Sequence, residues 1–264
     1  LPNGIITHSS NTSSEANMLF LTVGSNLTVD GAINVDGRGY LGGNGPGKAA
    51  GSYAGGAGHG GRGGQHDPGT PGTTYGSITS PTNIGSGGLN ASGSTGAGGG
   101  AVRLIVSGTT TVDGAVSADG VPAYCSGSGG SVFLTTDALA GGGVIRANGG
   151  AATAGGGGGG RIAVVLTNST DLGGIAFQAL GGGSTKAGAA GTVYLARTGQ
   201  APGCGTLIVD ASNKVSATAY PVTLINSNVM DTVVGTVVIT NKAILVIDTN
   251  QSLTVNGSWS NAAS

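Results

Sequence analysis

Charge is scarce in this 264-residue sequence: Asp, Glu, Lys and Arg make up 8% of it, and the formal net charge is −1. Proteins that bind nucleic acid through its phosphates carry clustered basic residues, and no such cluster is present. No apolar run approaches the roughly 18 residues that a membrane-spanning helix needs. The sequence therefore predicts neither a nucleic-acid partner nor a membrane span.

Aromatic residues and cysteines are also few, at 4% of the chain and two residues respectively. Low charge, many small polar residues and one pair of cysteines are together typical of secreted proteins. We therefore expect an extracellular or cell-surface protein in which Cys125 and Cys204 form a disulfide.

A helical period is missing as well. No segment keeps its apolar residues at 3.6-residue spacing, whereas apolar and polar residues alternate in many short stretches such as Leu27–Val35. The sequence therefore predicts an all-β protein with almost no α-helix.

Glycine, in contrast, is abundant, with 57 residues, which is roughly three times its average share. A glycine followed by alternating apolar positions recurs at Gly100, Gly130, Gly160 and Gly191, so the copies are 30, 30 and 31 residues apart. A period of this size is typical of stacked repeats. We therefore expect a glycine-rich parallel β-solenoid, a β-helix-like stack in which each coil buries its face against the next.

Each repeat has two predicted strands, whose inward residues should stack on the equivalent residues of the next repeat about 4.8 Å away. The inward residues of the first strands are Val102, Leu104, Val132, Leu134, Ile162, Val164, Val193 and Leu195. Those of the second strands are Ile33, Val35, Val116, Ala118, Ile145, Ala147, Phe177 and Ala179. The residue between each first-strand pair should point outward: Arg103, Phe133, Ala163 and Tyr194.

The chain divides into a repeat domain, residues 1–204, and a C-terminal region, residues 205–264, where glycine becomes rare and short apolar strands follow one another closely. The C-terminal region is predicted to be either a denser β-solenoid or a small sandwich. Within the first domain the repeats occupy residues 99–199, and a glycine-rich insert of about 60 residues, 37–98, interrupts them. Some of its glycines are three residues apart, the period of a polyproline II helix, which indicates ordered polyglycine layers.

The two ends of the chain are similar in sequence. Leu253–Trp259 (LTVNGSW) matches Leu27–Ile33 (LTVDGAI). Either the chain is one repeat of a longer protein, or its ends are shaped to stack on each other. Open ends of a solenoid expose unpaired strand edges, which associate unless they are capped. The predicted partner is therefore a second copy of the chain, joined head to tail.

The runs Gly58–Gly64 (GHGGRGG), Gly98–Leu104 (GGGAVRL) and Gly191–Leu195 (GTVYL) resemble the glycine-rich repeat domains of large secreted and cell-surface proteins. The resemblance covers about residues 20–210. It implies an extracellular, β-helix-like structural or adhesive module, and it carries no catalytic residue.

An enzyme of the polysaccharide lyase or hydrolase class is a third alternative, because some parallel β-helices have these activities. Gly58-His59-Gly60 and Arg161-Ile162 are similar to short elements of polygalacturonases. Glycoside hydrolysis also needs two carboxyl groups that flank the bond, and the sequence has no paired acidic motif. His59 and His66, with Asp67, lack the cysteines or spacing of a zinc site. The sequence therefore predicts no catalytic residue and no enzyme activity.

The acidic residues are best explained by turns. Asp36, Asp119 and Asn148 occupy one position of the repeat, just before a glycine, where short side chains accept hydrogen bonds from nearby backbone. We predict no cofactor, although aligned carboxylates such as Asp36 and Asp119 would also offer oxygen ligands to structural calcium.

The function that we predict is a non-enzymatic extracellular structural protein, a filament or surface-fibre subunit. The runner-up is an adhesin or phage-fibre-like module that binds glycans or other surface proteins. Its candidate adhesive residues are Tyr40, Tyr53, Tyr75, Phe133 and Tyr194, although Phe133 and Tyr194 are equally well explained by packing under the insert. Six asparagines lie in sequons for N-glycosylation: Asn11, Asn26, Asn90, Asn168, Asn250 and Asn256.

Overall fold

The computed structural model describes residues 4–261 apart from 52, 54, 67, 92, 184 and 215–220. All regular secondary structure in these residues is β-strand, as predicted, and the described part of the chain contains no helix suited to crossing a membrane. The strands are β1 (Ile5–Ile6), β2 (Leu19–Val23), β3 (Leu27–Val29), β4 (Ala32–Asn34), β5 (Gly76–Ser77), β6 (Ala101–Val112), β7 (Ala115–Ser117), β8 (Ser131–Ala140), β9 (Val144–Arg146), β10 (Arg161–Leu166), β11 (Ala176–Gln178), β12 (Thr192–Ala196), β13 (Thr206–Asp210), β14 (Thr223–Ile225), β15 (Val229–Met230), β16 (Val233–Val234), β17 (Thr236–Thr240), β18 (Leu245–Ile247), β19 (Thr254–Val255) and β20 (Trp259–Asn261).

The larger sheet has nine strands in the order β2-β6-β8-β10-β12-β13-β17-β20, with β3 also paired to β6. Strands β2 to β12 pair in parallel. Strand β13 is antiparallel to β12, and β17 and β20 are again parallel to β13. The sheet is therefore mixed: its two halves run in opposite directions, and β2 and β20 are its edges.

The first strands of successive repeats lie side by side in register. The residue two places after each repeat's glycine is directly opposite its equivalent in the neighbouring repeat, which gives the ladder Val102, Val132, Ile162 and Val193. The 30-residue period of the sequence is therefore the distance along the chain between paired strands.

The second strands form a smaller, all-parallel sheet in the order β1-β4-β7-β9-β11. Its central ladder is Ile33, Val116, Ile145 and Phe177. Ile33 and Val116 are adjacent although the insert separates them in sequence. The insert therefore leaves the pairing of the repeats on either side of it intact.

One aliphatic core lies between the two sheets. All sixteen residues predicted to point inward belong to it, with Phe177 partly buried and the others buried. Burial of each Val, Leu or Ile side chain contributes about 1.5–3 kcal/mol to folding. The alternation of apolar and polar residues in the strands thus gave the correct inward face.

A layer of glycine-rich segments packs alongside the sheets, and residues 155–160 lie in its middle. Their N–H groups change direction with a period of three residues. Those of Gly156 and Gly159 donate to carbonyl groups of the next repeat, both at 2.9 Å. Those of Gly157 and Gly160 donate to the preceding connection of their own repeat, at 3.0 and 2.7 Å. Every side of this run is therefore packed against another backbone.

The insert forms part of this layer. Gly60 donates to the carbonyl group of Gly159 at 2.9 Å, and Gly64 donates to that of Gly156 at 2.7 Å. These bonds satisfy backbone groups that would otherwise be buried without partners. The described residues of the insert are thus ordered against the repeats.

The C-terminal region continues the larger sheet, because β13 pairs with β12 across the predicted boundary at residue 204. Leu207 and Val237 belong to a second apolar cluster, on the sheet face opposite the aliphatic core, together with Ala163 and Tyr194. The other C-terminal strands form short parallel pairs: β14 with β18, β15 with β5, and β16 with β19.

Candidate assembly site at the two sheet edges

Each edge of the nine-stranded sheet carries an exposed aromatic residue. Phe20 on β2 is 55% exposed, and Trp259 on β20 is 50% exposed. The outermost strand of the smaller sheet, β1, also exposes Ile5, and β18 exposes Ile247. Strand edges with exposed apolar side chains are templates for further strand pairing. The two edges are therefore the candidate interaction sites.

One column of side chains crosses the sheet from edge to edge on the face opposite the aliphatic core. Its register follows from the strand pairs one after another: Phe20, Arg103, Phe133, Ala163, Tyr194, Leu207, Val237 and Trp259. The four residues predicted to point outward are consecutive members of this column. Ala163 and Tyr194 are nevertheless buried, because the C-terminal region covers that part of the sheet.

At the first edge the column is held together by Arg103. Its guanidinium carbon lies 5.1 Å from the ring centre of Phe20 and 5.7 Å from that of Phe133. A cation placed over two aromatic faces is attracted to both of them. The ring of Phe20 is therefore held in place on one side while more than half of its surface remains exposed.

In the middle of the column, Tyr194 marks the reversal of strand direction. Its hydroxyl oxygen accepts a hydrogen bond from the N–H of Gly205 at 2.9 Å, just before β13 begins. Burial raises the pKa of this phenol above its ordinary value. Tyr194 thus fastens the start of the reversed half of the sheet to the repeats.

The prediction of an exposed adhesive surface is wrong for three of its five residues. Tyr40, Tyr75 and Tyr194 are buried, with 8%, 4% and 2% of their surface exposed. Tyr40 and Tyr75 belong to the insert and are buried by its own packing and its contact with the repeats, whereas the insert and the C-terminal region together cover Tyr194. Phe133 is half-buried beside Arg103, and Tyr53 is exposed.

Tyr53 belongs to an aromatic cluster that no pattern in the sequence predicts. The ring of His66 lies edge-on to Tyr53 at 5.8 Å and to Tyr124 at 5.3 Å. Tyr53 is 53% exposed and Tyr124 is 42% exposed. The three residues come from the insert and from a repeat connection, so no local motif joins them in the sequence. Asp67, considered with His66 as a metal ligand, lies outside the described residues.

The Asx position of the repeat forms a ladder between repeats. The side-chain oxygen of Asp36 accepts a hydrogen bond from the N–H of Asp119, and Asp119 accepts one from Asn148, both at 2.7 Å. Asn148 accepts the next one, from Leu180, at 2.9 Å. These side chains therefore act as backbone hydrogen-bond acceptors at a turn, as expected. The N–H group that each one binds belongs to the next repeat.

The two calcium candidates are paired with an arginine. Arg146 approaches Asp119 at 3.0 Å and Asp36 at 3.7 Å. Burial, together with the neighbouring Asp36, raises the pKa of Asp119 to about 6. The described residues contain no group of three or more His, Cys, Asp or Glu side chains that could hold a metal ion. The guanidinium group thus supplies the positive charge beside these carboxylates.

His59 and Arg161 are completely buried. His59 donates from Nδ1 to the carbonyl group of Gly129 at 2.9 Å, and Arg161 donates from Nε to that of Tyr75 at 2.8 Å. Burial and the nearby guanidinium group hold the pKa of His59 at about 3, so it is neutral. Neither side chain offers any surface to a polysaccharide.

The predicted disulfide is absent, because Cys125 and Cys204 are both free thiols. Cys125 lies in the glycine-rich layer, where its backbone bridges to Thr95 of the insert and to Gly155 of the next repeat. Cys204 lies at the sheet reversal, and its sulfur is 3.8 Å from Nδ2 of Asn256. The two cysteines therefore belong to different layers of the molecule.

The sequons differ in their exposure. Asn11 is 2% exposed and uses its amide in hydrogen bonds to the backbone of Ala16, Asn17 and Arg38, and Asn90 is 6% exposed. These two are wrong as glycosylation candidates, because a glycan needs a free amide nitrogen. The other four are exposed: Asn26, Asn168, Asn250 and Asn256.

Comparison with known proteins found no matching family model, no similar curated protein and no similar solved structure. The resemblance to glycine-rich repeat domains therefore stays a prediction. Function is inferred from the sheet edges and the residue column that joins them.

Proposed function

We propose that this protein is a non-enzymatic extracellular structural subunit that assembles head to tail into a filament or surface fibre. The observation that carries the proposal is the pair of open sheet edges, each with a half-exposed aromatic side chain. Edge strands that remain single in a soluble protein usually carry charge, proline or a bulge that prevents pairing. Strand β2 (LFLTV) and strand β20 (WSN) carry none of these.

We also propose that the repeats form a glycine-rich β-solenoid with polyglycine layers of the polyproline II type. Two features support this interpretation: the in-register ladders at 30-residue spacing and the three-residue period of the N–H directions in residues 155–160. A solenoid grows along one axis, so a contact between its opposite ends is heterologous. Such contacts do not close into a ring unless the rotation between copies permits it, and they produce fibres.

An extracellular location is consistent with the low charge and with the four exposed sequons. It no longer draws support from a disulfide.

Electron microscopy and analytical ultracentrifugation of the purified protein over a concentration series test the proposal. We expect filaments or a ladder of oligomers whose mean mass rises with concentration. A monomer that stays dispersed over the whole series would contradict it.

The exposed cluster of Tyr53, His66 and Tyr124 favours a second candidate function, a binding module for glycans. Exposed aromatic rings provide flat apolar surfaces with polar edges, which suit the apolar face of a sugar ring. A glycan array probed with the protein and with Tyr124→Ala tests this function. Binding that is lost in the variant supports it, and a blank array or equal binding by both proteins counts against it.

A further inference from the structure

The side-chain column that crosses the nine-stranded sheet begins and ends with an aromatic residue. Phe20 and Trp259 occupy the same face of the sheet, because every intermediate pair in the column is directly opposite across a strand ladder. Each is about half exposed, and among the described residues no further strand pairs with the outer side of β2 or β20. A copy of the chain placed next to the sheet would continue the column.

The two edge strands have the direction that such a contact needs. Strand β20 runs antiparallel to β2 within the sheet, since the direction reverses once, between β12 and β13. A second copy translated along the sheet therefore presents its β2 antiparallel to β20. The sheet already contains one antiparallel junction, at β12 and β13, and the column passes through it as Tyr194 and Leu207.

At the β20 edge, the backbone groups of the column residue point outward. The N–H of Val237 donates to the carbonyl group of Ser258 at 3.0 Å. Alternate residues of a parallel ladder bond to opposite sides. The N–H and C=O groups of Trp259 are therefore directed away from β17, at the free edge.

At the β2 edge, the backbone groups of the column residue, Phe20, also point outward. The N–H of Ser131 donates to the carbonyl group of Gly100 at 3.0 Å, so the even-numbered residues of β6 bond towards β8. The odd-numbered residues, including Arg103, then bond towards β2. By the same alternation, the N–H and C=O groups of Phe20 are directed at its free edge.

We infer that, in the head-to-tail contact proposed above, Trp259 of one copy lies directly opposite Phe20 of the next copy as a hydrogen-bonded antiparallel pair. Two residues that both direct their backbone groups at the partner strand exchange both N–H···O=C bonds. Their rings lie on one sheet face, where cross-strand aromatic pairs are favourable. This inference rests on the proposed assembly and specifies its contact.

Trp259 is the only tryptophan of the chain, so its fluorescence reports on this contact directly. Its emission and its quenching by acrylamide are measured in dilute monomer and in assembled protein. We expect a blue shift and a quenching constant that falls at least about twofold, since the exposed half of the ring becomes covered. Filaments in which Trp259 stays as accessible as in the monomer overturn this inference and leave the proposed assembly standing. A protein that never associates overturns both.

Two variants identify the partner of Trp259. Phe20→Glu and Trp259→Glu each place a carboxylate in the contact, and both sites are exposed, so both variants should fold, as circular dichroism checks. Each variant alone should stay monomeric, because every contact needs one intact copy of each residue. A one-to-one mixture should give a dimer of twice the mass, joined through the remaining Trp259 and Phe20.

Other results overturn the inference. A dimer formed by Phe20→Glu alone, or by Trp259→Glu alone, would mean that like edges pair with each other. A mixture without dimers would mean that Trp259 and Phe20 are not partners. Met230→Glu is the matched control, since Met230 is equally exposed but lies outside the nine-stranded sheet, and this variant should assemble like the unmodified protein.

Discussion

The repeats stack in two different ways in two regions of the molecule. Between the sheets, side chains form the contact, and the aliphatic core consists of Val, Leu, Ile and Ala ladders. In the glycine-rich layer, backbones touch each other with no side chain between them. The first kind of contact depends on the volume of a side chain, and the second depends on its absence. Substitutions should therefore have very different effects in the two regions.

The largest effect is expected from Gly157→Ala. A Cβ atom there would overlap the carbonyl oxygen of Gly127, and backbone cannot move aside as a flexible side chain can. We expect a loss of at least about 4 kcal/mol in the free energy of unfolding, or no folding at all. Urea denaturation followed by circular dichroism measures it.

Gly142→Ala is the matched control for Gly157→Ala. Nothing lies within 4 Å of its added Cβ, and the residue is not in the left-handed region. We expect a neutral effect or a gain of up to about 1 kcal/mol, because alanine restricts the unfolded chain. Equal effects at the two glycines would contradict backbone-to-backbone packing in the layer.

In the aliphatic core, Leu134→Ala should lower the free energy of unfolding by about 2–5 kcal/mol, and Ile162→Val should lower it by about 0.5–1.5 kcal/mol. Both side chains are at most 1% exposed, and they lie on the neighbouring strands β8 and β10. In this core the loss of unfolding free energy should increase with the side-chain volume removed, and chemical denaturation of the two variants measures it. A larger cost for Ile162→Val than for Leu134→Ala would contradict this description of the core.

Asp119 lies at the margin between the two regions. The substitution Asp119→Asn should remove a pH dependence of the free energy of unfolding. Asp119 has a pKa of about 6 in the folded state against 3.8 ordinarily, so the folded state binds the proton more tightly. Its contribution to stability is therefore greatest below pH 4 and declines as the pH rises to about 6.

Asparagine keeps the oxygen that accepts the bond from Asn148, as Asn148 does in the next repeat. The variant should match the unmodified protein near pH 4 and exceed its stability by at most about 3 kcal/mol at pH 7. Thermal melts at several pH values measure the difference. A difference that does not change with pH would contradict the raised pKa.

The smallest effect is expected from a reducing agent. Because both cysteines are free, the melting temperature should be the same with and without dithiothreitol. Mass spectrometry after alkylation of the unfolded, unreduced protein should find two modified thiols. A disulfide-linked peptide containing Cys125 and Cys204 would contradict the arrangement described here.

The strands and their pairing were largely predictable from the sequence, and the surfaces were not. Val132 and Leu134 point inward, as the alternation of apolar and polar residues indicates, because the equivalent strand of every repeat packs against the same core. Tyr75 and Tyr194 were candidates for an exposed adhesive surface, with burial under the insert as the alternative for Tyr194, and both are buried. Nothing near them in sequence shows what covers them. Nor does any local pattern bring His66 beside Tyr124, or bury His59 beside Tyr75.

The spacing of the strands, their inward faces and the turns with Asx residues follow from the amino-acid sequence alone. These depend on contacts between equivalent residues one period apart, so they are repeated in the sequence. Tertiary contacts alone set the reversal between β12 and β13, the place of the insert in the glycine-rich layer and the covered part of the outward column. Those contacts join segments that share no period, and they leave Phe20 and Trp259 at the two open edges.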